Sequence, residues 1–510
     1  MLKQRKYITS QEAKEMKSYN TVAPRIYGNP KLHKEGNPLR PIISSIGSPM
    51  NSLSKFMADT LKSAYNTDNK YYVKDTFQYA QEINDFEIPD DHRLISLDVV
   101  NLFGNLEKSK IIEVLKLEWN NIKQHTKIDM ELFMEVVTFL LENNYCTFQG
   151  EFYRQVFGCA MGSKLSPILA QYVMDHQLNL TLPKLPYTVL ILKKFVDDLF
   201  MIVPETEIQL TLDCFNSLCA DIQFTLETED TQQSVTFLDT RAYRHDNKVK
   251  LKWYRKNTLS DKIIHFYSDQ NINVKINTIN QMKKRISKIC HKSFIEEGIR
   301  KLHHILRENA YPNSMLKKLL YANSETQTGQ TEEQNMTTTR THYASYPNIT
   351  NLTGKLKNVF REDNVKIAVY NQKTIRSLYT KIKDPIPTPL QSNVVYKINC
   401  ENCDKCYIGH TSQWVKSRMA LHKSDIRKYP ERCALAAHAH SLDHHIDFEN
   451  VEILKTESNY QKRLIHEMIN INKEKNTLNK KTDTNKLSSI YSYLLEKLEM
   501  SGFYDGPVDE

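Results

Sequence analysis

Asp98, Asp197 and Asp198 are the side chains in this sequence best suited to chemistry, because each stands in an apolar run with no ordinary use for a carboxylate. Asp98 interrupts Leu94-Ile95-Ser96-Leu97-Asp98-Val99-Val100-Asn101-Leu102-Phe103. The pair Asp197-Asp198 is framed by Ile191, Leu192, Phe195 and Val196 before it and by Leu199, Phe200, Met201, Ile202 and Val203 after it. Apolar runs on both sides of such a pair predict a buried hairpin. Two ionised aspartates there repel each other and lose hydration, a cost tolerated chiefly where cations sit against them. Asp98 and Asp197 on adjacent strands meet the need of two-metal phosphoryl transfer, in which carboxylates surround two magnesium ions that stabilise the attacking and leaving oxygens.

A second set of chemically able residues lies near the carboxy terminus. Cys400 and Cys403, followed by His438 and His444, give the C-x2-C…H-x5-H spacing of a tetrahedral structural zinc. Cys403 and Cys406 repeat the first spacing, and His440 and His445 offer substitutes in the second half, so the ligand set stays open on spacing alone. Arg418 and His422 stand one helical turn apart and can converge on a single phosphate.

These residues need elements to hold them. Proline and glycine between Pro24 and Ser44 predict turns joining extended pieces, and Lys31, Lys34 and Arg40 on those pieces reach toward an incoming triphosphate. Residues 51–65 and 107–142 carry apolar positions at helical spacing and read as core-facing helices. Phe157 to Ala170 places Gly158 and Gly162 before Ser166-Pro167, which fits a substrate-approaching loop feeding a helix. Residues 251–321 read as mostly helical and basic. They include Trp253-Tyr254-Arg255-Lys256, an aromatic and cationic cluster suited to a nucleic-acid backbone, and the runs Lys283-Lys284-Arg285 and Lys317-Lys318. Residues 1–20 read as a helical lead-in, 322–348 as a flexible linker without core-forming residues, and 349–390 as a connector closed by prolines 385, 387 and 389. The tail, 486–510, holds one amphipathic helix from Leu487 to Leu498.

With 510 residues, the chain has room for two to four domains. Its formal charge of +9 suits a polyanionic partner. Nine cysteines without an amino-terminal signal peptide, and no apolar stretch of about 18 residues, point to a reducing, soluble compartment and away from disulfide scaffolds and membrane spans.

In this order the segments resemble Penelope-like retroelement reverse transcriptases, through NPKLHKEGNPLRPIIS, SLDVVNLFGNL, GCAMGSKLSPILA, KFVDDLF and FTLETED…FLDT, and then WYRK, NQMKKRISKIC and NAYP. The resemblance implies a multidomain α+β protein. Fingers and palm of a right-hand polymerase fill 21–250, a thumb fills 251–321, and a GIY-YIG nuclease domain with an inserted zinc finger fills 391–485. It also implies magnesium, or manganese, held by Asp98, Val99 and Asp197, with Asp198 adding charge. Phe103 becomes the steric gate against a ribose 2′-hydroxyl, while Met161 and Gly162 lie beneath template and nucleotide. Lys164 and Gly104 depart from the proline and the hydroxyl residue usual at their positions, and neither departure removes a metal ligand.

Val394-Val395-Tyr396 and Tyr407-Ile408-Gly409 resemble the two GIY-YIG signatures, with Arg418, His422, Glu467 and Asn479 completing the catalytic set. The resemblance implies one metal on Glu467, a water proton taken or relayed by Tyr407, Tyr396 as orienter, and Arg418 against the charge that builds on phosphorus. It favours Cys400, Cys403, His438 and His444 as the zinc set. The implied activity is that of an RNA-directed DNA polymerase and DNA endonuclease in target-primed reverse transcription: the endonuclease opens chromosomal DNA, and the exposed 3′-hydroxyl primes copying of the element's RNA. Its partners are then an RNA template, a DNA primer, target duplex DNA and deoxynucleoside triphosphates, with no membrane, in the nucleus after cytoplasmic synthesis. The family has more sequence ahead of the fingers than stands before Pro24 here. That feature supports the alternative, a domesticated or truncated copy that binds nucleic acid.

Overall fold

The computed structural model describes residues 2–32, 36–256, 258–321, 342–349, 352–360, 365–371, 378–379 and 383–500. Lys34, residues 322–341 of the expected 322–348 linker and the end of the tail lie outside the described residues. The chain is a mixed α+β protein.

In chain order, β1 (Arg25–Pro30) and β2 (Leu39–Ser44) form an antiparallel hairpin, closed where Lys31 N donates to Pro38 O at 2.9 Å. β3 (His92–Val99) carries Asp98. β4 (Tyr145–Phe148) and β5 (Glu151–Arg154) form a second hairpin, which joins the first in a sheet of order β2-β1-β4-β5. β6 (Ile191–Phe195) and β7 (Asp198–Pro204) form the hairpin expected around the paired aspartates. With β3 and β8 (Phe224–Thr228) they make an antiparallel sheet of order β6-β7-β3-β8. A further antiparallel sheet follows, from β9 (Ser234–Phe237), β10 (Thr240–His245) and β11 (Lys248–Trp253).

The sheet of β6, β7, β3 and β8 reads as continuous apolar runs because both of its faces are covered. Ile95, Leu97, Leu199, Met201 and Val203 pack into one core with the helices Asn51–Ala64, Lys108–Leu117, Met130–Glu142 and Ser166–Thr181. Leu94, Phe200 and Ile202 pack into another with Tyr79, Val235, Phe237 and Leu251. Alternation along a strand therefore sends successive side chains into two different cores. The helical stretch expected over 107–142 is interrupted: the Asp129 carboxylate caps a new helix by accepting from Leu132 N at 2.8 Å.

The basic region begins as strand, since Trp253 ends β11 and is buried. The helices Ile272–Ile289, Ile295–Glu308 and Asn313–Tyr321 pack around Trp253, Ile286, Leu302, Leu306 and Leu316. The linker expectation fails at its end. β12 (His342–Pro347) pairs in parallel with β13 (Val365–Tyr370), because the tyrosine-rich HYASYP favours extended backbone. Lys383 and Asp384 lie on the β1–β2 hairpin: Lys383 Nζ donates to Ser44 Oγ at 3.0 Å, and Arg25 Nη1 donates to Asp384 O at 2.5 Å.

The carboxy-terminal unit has a sheet of order β15-β14-β16, from β14 (Val394–Asn399), β15 (Cys406–Thr411) and β16 (Glu452–Thr456). The helices Val415–Lys428, Ala434–Leu442 and Tyr460–Lys473 accompany it, and a tail helix spans Ser489–Met500. Among the described residues, no helix is long and apolar enough to cross a membrane.

Candidate functional sites

The register of β3 and β7 sets Asp98 directly opposite Asp198. Val196 and Asp197 alone connect β6 to β7, and a two-residue connection of this kind needs positive φ at its first position. Val196 supplies it at φ 57°, a conformation that a β-branched residue adopts only under strain, at a cost of roughly 1–3 kcal/mol. Three carboxylates are thereby gathered at one end of the sheet.

They face a cavity of about 630 Å³. Lys31 and Arg40 reach it from the proline-rich hairpin. Val99, Phe103, Met161 and Gly162 line it as well, so the sequence-derived set converges except for Lys34, which is outside the described residues. Two close approaches build its wall. Ile43 N donates to Met161 O at 2.8 Å, and any side chain at Gly162, where φ is 117°, would collide with the Ile43 carbonyl oxygen. On the other side Cys159 N donates to Phe103 O at 2.7 Å, and Gly158, at φ 70°, lies against Gly104. The loop expected to approach substrate is thus clamped between β2 and the segment that bears Phe103. The departure at Gly104 also has a steric reason, since a Cβ there would strike the Asn101 side chain.

Burial, followed by the charges of Asp197 and Asp98, pushes the Asp198 carboxyl up to about 7. Burial likewise raises Asp197, with Asp98 adding to the shift and Arg40 opposing it. Hard oxygen donors that resist ionising together are a donor set that fits magnesium. Lys256 was not singled out individually by sequence reasoning, yet it lines the cavity and lowers Asp198. Its signal was the WYRK cluster, from which Trp253 went into the core and Arg255 pairs with Asp261 at 2.5 Å.

A second cluster forms in the carboxy-terminal unit. Arg418 Nε donates to the Tyr396 hydroxyl at 3.2 Å, and that hydroxyl lies 2.8 Å from His422 Nε2. The Tyr407 ring meets His422 edge-on at 5.5 Å. Gly409 allows this packing, because a Cβ there would sit 2.7 Å from the Tyr396 hydroxyl oxygen. Burial, then Arg418, pushes His422 down to about 4, so the imidazole is neutral. Burial raises Tyr396 to about 12 and drives Tyr407 well above the ordinary tyrosine value, leaving both hydroxyls protonated. The expectation of Tyr407 as a proton acceptor thus meets an opposing cause, its own desolvation.

Glu467 acts on both tyrosines through its charge and lies 2.6 Å from His410 Nδ1. Sequence reasoning missed His410, whose only signal is its place directly after Tyr-Ile-Gly. Asn479 grips the backbone of Ile408, accepting from its N–H and donating to its carbonyl, each at 2.9 Å. It therefore positions β15, whatever else it does.

Cys400, Cys403, His438 and His444 gather with their ligand atoms within 4.8 Å of one another. Cys400 Sγ is 3.5 Å from His444 Nδ1, Cys403 Sγ is 3.6 Å from His438 Nε2, and the two histidines are 3.1 Å apart. His440 and His445 are exposed and outside the group; Cys406 is outside it too but buried, and burial raises its thiol to about 11. Two thiols and two imidazoles at this spacing fit zinc.

A family model for an animal helix-turn-helix domain matches residues 262–320, a span that holds the helices Ile272–Ile289 and Ile295–Glu308 and nearly all of Asn313–Tyr321. No curated protein matches the chain. Among solved structures it is similar to telomerase from Candida albicans in complex with a fragment of telomeric RNA, at 11% identity and a TM-score of 0.41, over 62% of this chain and 60% of that one. It is also similar to a sicinivirus RNA-dependent RNA polymerase, at 10% identity and a TM-score of 0.38, over 60% of this chain and 69% of the other. A human picobirnavirus RNA-dependent RNA polymerase gives 10% identity and a TM-score of 0.36, over 56% and 58%. The chain thus spans 60% of the length of the telomerase chain it matches.

Proposed function

We propose that the chain is an RNA-directed DNA polymerase and DNA endonuclease of a Penelope-like retroelement, with a right-hand polymerase followed by a GIY-YIG domain. The observation that carries the polymerase half is the convergence of Asp98, Asp197 and Asp198 with Lys31, Arg40 and Phe103 on one cavity. Asp98, Val99 and Asp197 would hold magnesium, with Asp198 adding charge beside it, and the ions would activate the primer 3′-hydroxyl and stabilise charge on the attacking and leaving oxygens. Lys31 and Arg40 neutralise the triphosphate, and Lys256 offsets the crowded negative charge beside Asp198. Phe103, half-buried at the cavity wall, fills the space that a ribose 2′-hydroxyl would need.

Primer extension by the purified chain on an RNA template tests this reading, and absence of product would end it. Phe103→Ala in the same assay is expected to relax discrimination against ribonucleotides roughly 10- to 100-fold, the range open to a small steric change. Incorporation of ribonucleotides at the wild-type ratio would remove Phe103 from the role of gate.

In the endonuclease half, Glu467 would hold the metal that supplies an activated water. Arg418 faces the scissile phosphate, the protonated Tyr396 and Tyr407 orient it, and His410 fixes the Glu467 carboxylate. Cys400, Cys403, His438 and His444 hold structural zinc. Glu467→Gln should lower nicking of duplex DNA by roughly 100-fold or more, the scale of removing an activating group. Nicking unchanged in this variant would separate the site from the activity. Target-primed copying of an RNA in the nucleus is the role we propose for the two activities joined in one chain.

A further inference from the structure

β6 carries the turn that holds Asp197, and two lysines occupy the middle of this strand. Lys193 pairs across the ladder with Phe200 and Lys194 with Leu199, so the two lysines point to opposite faces of the sheet. Lys194 has no exposure to solvent. Its Nζ lies 2.5 Å from Asp175 Oδ1, 2.8 Å from Gln171 Oε1 and 3.2 Å from the Tyr65 hydroxyl. Tyr65 in turn donates to Asp175 Oδ2 at 2.5 Å. On the opposite face Lys193 forms an ion pair with Glu82 and donates to Lys70 O at 3.1 Å. The Lys194 backbone is tied too, donating to Tyr71 O at 2.7 Å and accepting from Val73 N at 3.0 Å.

Burying an ammonium is costly even when it is paired, and an aliphatic residue would pack in the same place at lower cost. What the cluster adds is direction: Lys194 Nζ donates to Gln171 and Tyr65 beside the Asp175 carboxylate, whose Oδ1 has only this ion pair to meet its buried charge, so a shifted strand would leave that carboxylate unpaired. Asp175 and Gln171 belong to the helix Ser166–Thr181, whose first turn lines the catalytic cavity through Ser166 and Pro167. Lys194 therefore links the strand that bears Asp197 to the helix that walls the nucleotide site. The strained Val196 points the same way, since strain of this kind persists only where the surroundings over-determine it.

We propose that Lys194, with Asp175 and Tyr65, is a positioning device that fixes the register of β6 against the helix Ser166–Thr181. It thereby sets Asp197 relative to Asp98. The inference rests on the polymerase reading and assigns Lys194 no contact with substrate.

The test compares the full-length chain with Lys194→Met/Asp175→Leu, which replaces the ion pair by an apolar pair, and with Asp175→Asn, which keeps the shape. Four quantities are read: melting temperature, KM for primer–template, kcat, and Mn2+ affinity from electron paramagnetic resonance. In the double variant the melting temperature and KM should stay near wild type. A small misplacement of a catalytic group should lower kcat roughly 10- to 100-fold, and Mn2+ binding should weaken with it. Asp175→Asn should shift kcat and Mn2+ affinity in the same direction, and it decides the matter should the double variant not fold. Wild-type kcat and Mn2+ affinity in a folded variant would overturn the inference and leave the polymerase reading intact. Should the wild type itself extend no primer, that reading fails on its own, and Mn2+ affinity alone still decides the positioning role.

Discussion

Replacing both Asp197 and Asp198 with alanine is expected to lower primer extension by roughly a thousandfold or more, with primer–template binding close to wild type. The carboxylates meet at the end of a sheet buried on both faces, where no solvated loop could take over their task. Asp98 faces Asp198 across the ladder, so removing the pair leaves one carboxylate where three converge. Primer–template binding is expected to draw on other groups, the lysines and arginine of the helix Ile272–Ile289 among them. A second readout follows from electrostatics. Between the ordinary aspartate range and about pH 7 the folded chain keeps a proton on Asp198 that the unfolded chain has already given up, so stability falls across that window and levels off above about 7, where both states are ionised. The double alanine variant should therefore melt higher than wild type at pH 8 in metal-free buffer, even as it loses activity. Extension at the wild-type rate by this variant would exclude the site as the polymerase centre.

The gathering of carboxylates at one end of this sheet was legible because a carboxylate in an apolar run is rare for a physical reason. Asp98 and Asp197 could be paired in advance, whereas Gly158 and Gly162 read as a substrate-approaching loop and in the fold let Gly104 and Ile43 come close. What stayed hidden was supplied by distant segments. Lys194 looked like any basic residue next to Lys193, since its partners Asp175, Gln171 and Tyr65 lie on other elements. Lys256 follows β11 in a stretch that read as helical, so its place beside Asp198 could not be foreseen. His410 needed the fold to bring the helix Tyr460–Lys473 against β15. The strand His342–Pro347 was hidden for a related reason: its polar composition reads as linker until Val365–Tyr370 pairs with it.

Zinc separates the two halves of the molecule. Cys400→Ser should lose the bound zinc and abolish duplex nicking, while primer extension stays within about threefold of wild type. The reasoning starts from position. Cys400 and Cys403 lie in the connection between β14 and β15, the strands that present Tyr396 and Tyr407. His438 lies on the helix Ala434–Leu442 and His444 just beyond it. One ion across the four would tie that connection to that helix, and Cys400 already belongs to the small core with Leu435, Ala439 and Ile446. The two sulfur–nitrogen separations, 3.5 and 3.6 Å, match the roughly 3.3–3.8 Å edges of a tetrahedron built on zinc–nitrogen and zinc–sulfur bonds; the two histidine nitrogens at 3.1 Å are slightly closer, and all four ligand atoms lie within 4.8 Å of one another. In a unit this small, metal binding is folding free energy, so losing one ligand should loosen the pairing of β14 with β15 and scatter the tyrosines. The core around the strand that bears Asp98 shares none of these residues, hence the expected retention of extension. His440→Ala is the control: exposed and outside the cluster, it should leave the zinc content unchanged. Full zinc content in Cys400→Ser, or its loss in His440→Ala, would reassign the ligands and with them the element that holds the second site together.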